Sequence, residues 1–476
     1  MRACDSRQLA GQLGALTGGI AAYVADYLAD REDFGMRTFY GESFALALLA
    51  KTGRLDAALE AKLLNAFHRK DRRDPQYHWE FNHYGMLEAG QLTKPLIFKH
   101  TPCTNWTLLR SNVRIAAGID VDTARVEALA KLRRRQRPSG LILDDPGVRS
   151  FQYHCFSAAM IYEIYAKTHE DVWLRAFKRA VEFIRRFILP NGDALYIGRG
   201  QQQSFGYASL IYILSAYVAL TGDRGALGDA TRVAEFLMQS TCADGSLPLV
   251  VGASKEPLPH SDTPQCDLRY SGWYAYNNYF DYLPFAGVFL KKAADILSRV
   301  PNAAPVFNVQ QSYRDADFLK IVRGDTIAVV SRPGGYWTND LPMPYVYSGG
   351  RARMPCYGGE QFGNSIYSLS GLPLPMLGNT SMRRRAISFF VGDRLVVVSP
   401  LGVLLRRFEI GEGRVCLRNT VISPFRLHDR YLFLSELPVI RSDYALTAVA
   451  PAYSASGELM AYESMRVGDV ELEFPA

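Results

Sequence analysis

The chain has 476 residues, too many for one ordinary core, and its 48% hydrophobic content is enough to bury more than one, so two globular domains are expected. Its 54 basic and 47 acidic residues leave a net charge of +7 that is spread along the sequence; no nucleic-acid arm is expected, and the modest positive field suits an anionic polymer. Seven cysteines (Cys4, Cys103, Cys155, Cys242, Cys266, Cys356 and Cys416) are odd in number and never at metal-ligand spacing, which reads as a reducing compartment and excludes a zinc motif.

Asp5 and Arg7 fall where the apolar core of an export signal would begin, so the N-terminal stretch reads as a first amphipathic helix. No stretch has about 18 consecutive apolar residues, so neither a membrane span nor a membrane partner is expected. The simplest location is cytoplasmic, with export left open. From about residue 7 to residue 298, apolar residues recur every three to four positions. Candidate helices are 7–28, 41–51, 55–67, 105–117, 122–135, 150–167, 171–187, 204–220, 228–238 and 276–298, and the order reads as a ring of helical hairpins. The basic run 131–137 reads as a solvated helix end. The breaks at 190–195 and 242–247 are similar Asp/Gly turns, an echo expected of repeated hairpins.

After Pro301 the texture changes to β-branched and aromatic runs at 318–324, 326–332, 386–391, 394–399, 403–410, 430–435 and 459–463. Short strands without intervening helices predict an antiparallel β-sandwich. The expected fold is therefore α+β and multidomain: helical hairpins over 1–300, a boundary within 299–305, and a sandwich over 301–476.

Several clusters carry side chains that a ring of helices does not itself require. Asn82 and His83 stand among the aromatic residues of 77–85, which fit either a glycan cleft or simple packing. Asn105 and Trp106 open a helix, where an asparagine is an N-cap or an amide donor aimed into a cleft. Tyr153 and His154 stand side by side at another helix start, and both side chains exchange protons. In 196–207, Arg199 offers a planar fork for a carboxylate, Gln201 and Gln203 bind hydroxyls, and Tyr207 closes the segment. Trp273, Tyr276 and Asn277 belong to a run of hydroxyl-bearing aromatics, 269–282, better suited to a sugar groove than to a dry core. The segment 347–361, with Arg353 and Glu360, reads as a loop reaching back over the ring or as an ordinary surface loop. Asn105, His154 and Arg199 are each about one hairpin apart, so their helix starts can face the same end of the ring.

AsnTrp at 105–106, SerPheGlnTyrHis at 150–154 and GlyArgGly at 198–200, in a helical half that precedes a β-rich half, resemble the toroid-plus-sandwich polysaccharide lyases, the heparinase II/III-like and chondroitin AC or hyaluronate lyases. The resemblance implies an (α/α) toroid and β-elimination at a uronate of an acidic polysaccharide, with no cofactor and no metal. It places Asn105 and Arg199 on the uronate carboxylate and His154 or a tyrosinate as base. The tyrosine that returns a proton is Tyr153 on the heparinase-like pattern and Tyr162 on the chondroitin and hyaluronate pattern. Asn82, His83, Trp106, Gln201, Gln203, Tyr207, Trp273, Tyr276, Asn277, Arg353 and Glu360 then form the substrate-binding set. Two alternatives stay open: a glycoside hydrolase on the same ring, using Asp144 or Asp145 with Asp193 or Asp281, and a non-catalytic glycan-binding protein of exopolysaccharide assembly. The oligomeric state is not legible.

Overall fold

The computed structural model describes residues 4–34, 38–70, 78–92, 96–198, 202–251, 279–332 and 344–354 and, beyond these, 367–369, 372–377, 387–399, 402–424, 427–434, 439–442, 447–454, 457–464 and 467–474. Eleven helices occur among the described residues: α1 (Ser6–Ala29), α2 (Gly41–Thr52), α3 (Ala57–Arg69), α4 (Trp79–Glu88), α5 (Thr104–Ala117), α6 (Val121–Arg135), α7 (Phe151–Thr168), α8 (Asp171–Arg185), α9 (Ser204–Thr221), α10 (Arg224–Met238) and α11 (Tyr279–Leu297). Ten match the expected segments. The segment that reads as an aromatic cluster, 77–85, conceals the eleventh, α4, because Trp79, Phe81, His83 and Tyr84 blur the helical period.

Six helices close a ring: α2 packs on α4, α4 on α5, α5 on α7, α7 on α9, α9 on α11, and α11 back on α2. The other five, α1, α3, α6, α8 and α10, lie outside them. Sequence pattern sorts the two layers. The outer α8 buries one stripe, Trp173, Ala176, Phe177, Ala180, Val181 and Ile184, whereas the inner α9 is buried continuously from Ser204 to Val218. By length and composition α9 is apolar enough to cross a membrane, but it lies inside this ring.

One turn is used three times to enter the inner layer. Arg137, Leu189 and Cys242 each donate a backbone N–H to the carbonyl four residues on, and Gly140, Gly192 and Gly245 each donate back. The glycines hold φ of 103°, 93° and 82°. A Cβ on Gly140 would stand 2.0 Å from the carbonyl oxygen of Arg179 on α8, and one on Gly192 2.1 Å from that of Arg232 on α10. Gly245 packs less tightly, a Cβ there standing 3.3 Å from the Cα of Gly19 on α1, so each turn lies against the next outer helix. The echo of 190–195 and 242–247 is therefore real and has a third member at 137–141.

The axis of the ring is filled by a polar set to which all six inner helices contribute. The Lys292 ammonium on α11 pairs with Glu163 of α7 and with Glu88 of α4 at 2.8 Å. Glu163 also accepts from Tyr84 of α4 at 2.6 Å, from Asn112 of α5 at 2.7 Å and from Tyr212 of α9 at 3.3 Å. Lys51 of α2 completes the set on Glu88 at 2.8 Å. Burial alone would raise both carboxyls, but Lys292 with Lys51 holds Glu88 down at about 2, and Lys292 with Lys167 holds Glu163 below the usual range.

The strands are β1 (Tyr313–Arg314), β2 (Phe318–Arg323), β3 (Thr326–Ser331), β4 (Tyr345–Ser348), β5 (Arg351–Met354), β6 (Tyr367–Leu369), β7 (Leu372–Leu377), β8 (Ile387–Val391), β9 (Arg394–Ser399), β10 (Gly402–Gly411), β11 (Arg414–Ile422), β12 (Leu427–Leu434), β13 (Val439–Ser442), β14 (Thr447–Ser454), β15 (Gly457–Ser464) and β16 (Val470–Glu473). They form three antiparallel sheets, ordered β1-β2-β3-β4-β5, β13-β16-β11-β10-β9-β8 and β14-β15-β12-β6-β7. The first sheet shares the ring's own core. Phe318 lies 5.2 Å from both Phe151 and Phe187, and Tyr345 stacks on Tyr196 at 4.0 Å. Buried Arg149 bonds Asp317 at 2.9 Å, where Arg332 and Arg137 also converge. Part of the segment expected as a loop over the ring is instead a hairpin: β4 and β5 pair across the Gly349–Gly350 turn, whose glycines hold φ of 59° and 80°.

Removing the shared cation leaves Glu163 and Glu88 buried with only Lys167 and Lys51 to offset their charges, so Lys292→Met should lower unfolding free energy by about 3–5 kcal/mol. Chemical denaturation checks this, and a loss below about 1 kcal/mol would contradict the axial role. Because Glu88 titrates near 2 when folded and at the ordinary 4.5 when unfolded, its stabilisation is complete above pH 4.5 and drains as pH falls toward 2. Glu88→Gln should flatten that part of the stability–pH curve.

Candidate functional site

Each inner helix brings a ring-bearing side chain to its N-terminal end, and these side chains meet. Tyr40, immediately before α2, stacks on Phe81 of α4 at 4.7 Å and lies 5.8 Å from His78, the residue before α4. Trp106 of α5 stands edge-on to His78 at 4.9 Å and to Phe81 at 5.3 Å. Phe205 of α9 stacks on Tyr282 of α11 at 4.6 Å and lies 6.4 Å from Tyr153 of α7. Tyr282 joins this second group to the first, 6.4 Å from Tyr40. His78 and Trp106 are half-buried, and the other rings are buried.

Six helix starts place their positive dipole ends on this face, which favours an anionic group there, while the N–H groups of Thr104, Trp106, Phe151, Tyr153 and Ser204 are already bonded within the chain. Burial first, and then the neighbouring Tyr282, Asp281 and Tyr153, holds the Tyr40 hydroxyl well above the usual tyrosine range. A tyrosine in that state keeps its proton. Asp281 is fully buried and accepts N–H bonds from Phe39 at 2.9 and 3.0 Å and from Tyr40 at 2.8 Å, which ties the residues before α2 to α11. Burial pushes its carboxyl up to about 6 against the pull of Lys70.

Of the expected residues, Asn105, Trp106 and Tyr153 are on this face. Asn105 is the second residue of α5, not its N-cap; its Oδ1 accepts the N–H of Trp106 at 2.6 Å, and its amide nitrogen bonds no described residue. His154 is placed differently. It is wholly buried, its Nδ1 accepts the N–H of Ile142 at 2.9 Å, and its Nε2 donates to the carbonyl of Ala180 at 3.0 Å. Both ring nitrogens are committed to backbone, and burial drags the imidazole down to about 4, so this histidine joins α7 to α8 and the turn at 137–141 and takes no proton from a substrate.

Tyr162 lies nine residues beyond Tyr153, about 13 Å along α7, packed on Phe177 and Tyr212 beside the axial charges. Asn82 bonds the carbonyls of Phe39 at 2.7 Å and His78 at 3.0 Å, so it positions the floor and does not line it. His83 accepts the N–H of Ile97 at 3.0 Å, Gln203 accepts from Gln152 at 2.8 Å, and Tyr207 donates to Asp193 at 2.6 Å; all three are structural bonds, and the last two are buried. Arg353 is buried in its own hairpin on the carbonyl of Ser348 at 3.0 Å. Arg199, Gln201, Trp273, Tyr276, Asn277 and Glu360 lie outside the described residues.

Tyr40 and Phe81 carry no expectation from the sequence, and Asp281 enters there only as a carboxylate of the hydrolase alternative. The signal was present as an aromatic residue at or within three residues of every inner helix start, a regularity visible only once inner and outer helices are distinguished. Grooves of about 590 Å³ beside Gly11, Gly14 and Gly18 and about 690 Å³ beside Arg110, Arg114 and Glu127 lie on the outer surface, away from this face. Among the described residues no three His, Cys, Asp or Glu side chains gather as a metal site.

No family model and no curated protein matches the sequence. Solved structures with a related helical arrangement include an unsaturated glucuronyl hydrolase variant from Streptococcus agalactiae, 10% identical, covering 63% of this chain and 93% of its own, with a TM-score of 0.42. A polysaccharide lyase is 10% identical over 59% of this chain and 97% of its own, with a TM-score of 0.39. A type II terpene cyclase from Scytonema is 12% identical over 60% and 99%, also with a TM-score of 0.39. At these identities and scores the likenesses assign no activity.

His154→Ala should cost about 2–4 kcal/mol, since it leaves a cavity and orphans two buried backbone groups. The folded imidazole titrates near 4 against 6.5 unfolded, so the wild-type chain should lose stability as pH falls from 6.5 toward 4. Thermal melts across that window should show the slope absent in the variant.

Proposed function

We propose that the chain is a glycan-processing enzyme that cleaves a uronate-containing polysaccharide by β-elimination at the helix-start face. The observation that carries this reading is the chemical make-up of that face: tyrosine hydroxyls, one imidazole and one amide donor, gathered among sugar-sized ring surfaces at six helix N-termini. A hydrolase needs two carboxylates that can reach one glycosidic bond. Among the described residues, Asp281 is bound to backbone N–H groups of Phe39 and Tyr40, and Asp193 is enclosed by Tyr207 and Gln202.

In this reading the uronate carboxylate lies toward the helix starts, with the Asn105 amide as a donor, and the charge that develops on it as the C5–H bond breaks is stabilised there. His78 takes that proton. The electron pair forms the C4–C5 double bond as the C4–O bond breaks, and Tyr40 or Tyr153 gives its proton to the leaving glycosidic oxygen. Trp106 and Phe81 offer faces for the sugar ring. His78 replaces His154 as base because it is half-buried beside Trp106 and Tyr40, whereas His154 is sealed among backbone groups.

The purified chain, incubated with a panel of acidic polysaccharides, should raise ultraviolet absorbance in the unsaturated-uronate band. His78→Ala and Tyr40→Phe should each lower the initial rate by about 10²–10⁴-fold while far-ultraviolet circular dichroism stays unchanged. New reducing ends without that absorbance would establish hydrolysis, and unchanged rates in both variants would remove these residues from the site.

A further inference from the structure

The six-stranded sheet breaks the rule that a solvent-facing sheet surface alternates to polar residues. Its register places Ile387 of β8, Val398 of β9, Val403 of β10 and Ile422 of β11 in one row across four strands. Phe389, Val396, Leu405 and Thr420 form the next row. The opposite face, with Val397, Leu404, Phe408 and Leu417, is buried within the chain. Around a buried Val396 the first face is open: Ile387 is 68% exposed, Phe389 44%, Val391 53%, Val398 38% and Ile422 63%. The sequence agrees, since 395–398 and 403–405 are continuous apolar runs of the kind found where both faces of a sheet are covered.

We infer that this face of β8–β11 is the interface of a homodimer, packed against the same face of a second copy of the chain. Large apolar side chains carry on the order of 150–200 Å² each, so the five exposed ones present roughly 400–500 Å² of continuous apolar surface. With the half-buried Val403 and Leu405 and the polar rim, that approaches the ~800 Å² each partner gives to a stable interface. Charge selects the occupant. The third row is Val391, Arg394, Arg407 and Arg418; Arg407 is paired with Asp393 at 2.9 Å and with Glu409 at 3.4 Å, and Arg418 with Glu409 at 3.4 Å and with Asp469 at 3.3 Å, which leaves exposed Arg394 as the one cation of the row outside an ion pair. A lipid surface or an anionic polymer would call for several unpaired cations around the patch. A rim of alternating sign is complementary to itself under a two-fold rotation, and flat rows of β-branched side chains pack face to face about 10 Å apart.

Sedimentation equilibrium of the full chain at micromolar concentration should return twice the monomer mass. Ile387→Lys with Phe389→Lys should weaken the dimer at least tenfold, with the far-ultraviolet circular dichroism and melting profile of the parent. Ile422→Lys, alone on β11, should do the same and decides the matter if the double variant misfolds. A wild-type chain that is monomeric throughout, or a dimer that survives Ile422→Lys, overturns the inference.

Discussion

The Lys292 ammonium in the middle of the ring constrains more of this structure than any other single group. An unpaired charge at that depth is prohibitively costly, so Lys292 must keep Glu163 and Glu88, and they must keep Lys51, Asn112, Tyr84 and Tyr212. These partners come from every inner helix. Apolar packing would tolerate a helix sliding by a turn; this network does not, because a shift of one turn would strand a carboxylate. The polar axis therefore sets the register of the ring, while the apolar inner faces supply the bulk of its stability.

A fixed register at one end has a consequence at the other. Tyr40, His78, Trp106, Tyr153, Phe205 and Tyr282 belong to six different helices and touch only because those helices start at a common level. The seam between α11 and the residues before α2 is where the ring closes, and there Asp281 secures Phe39 and Tyr40 directly. The Asp/Gly turns do the equivalent for the later hairpins by seating the chain on the next outer helix before it enters the inner layer.

Helices and strands were legible in the sequence because amphipathic periods and β-branched runs are local. The site was less so. Asn105, Trp106 and Tyr153 could be named because each opens a recognisable helix. His154, in the adjacent position, cannot be told from Tyr153 by composition, yet the 100° step between neighbours on a helix turns it into the wall between α7 and α8. Asn82, Gln203 and Tyr207 are polar residues at helix starts that serve backbone and neighbouring side chains, a distinction carried by contacts across tens of residues. Tyr40 had no motif around it, and only ring closure brings it to Tyr282.

The central claim is that the helix-start face breaks a glycosidic bond by elimination and not by adding water. Mass spectrometry of the oligosaccharides released in water labelled with heavy oxygen tests it most directly. Elimination predicts a fragment lighter by one water than its hydrolytic counterpart, with no labelled oxygen incorporated by the cleavage itself. A saturated fragment carrying the label at the new end would contradict the account and return the chemistry to a pair of carboxylates.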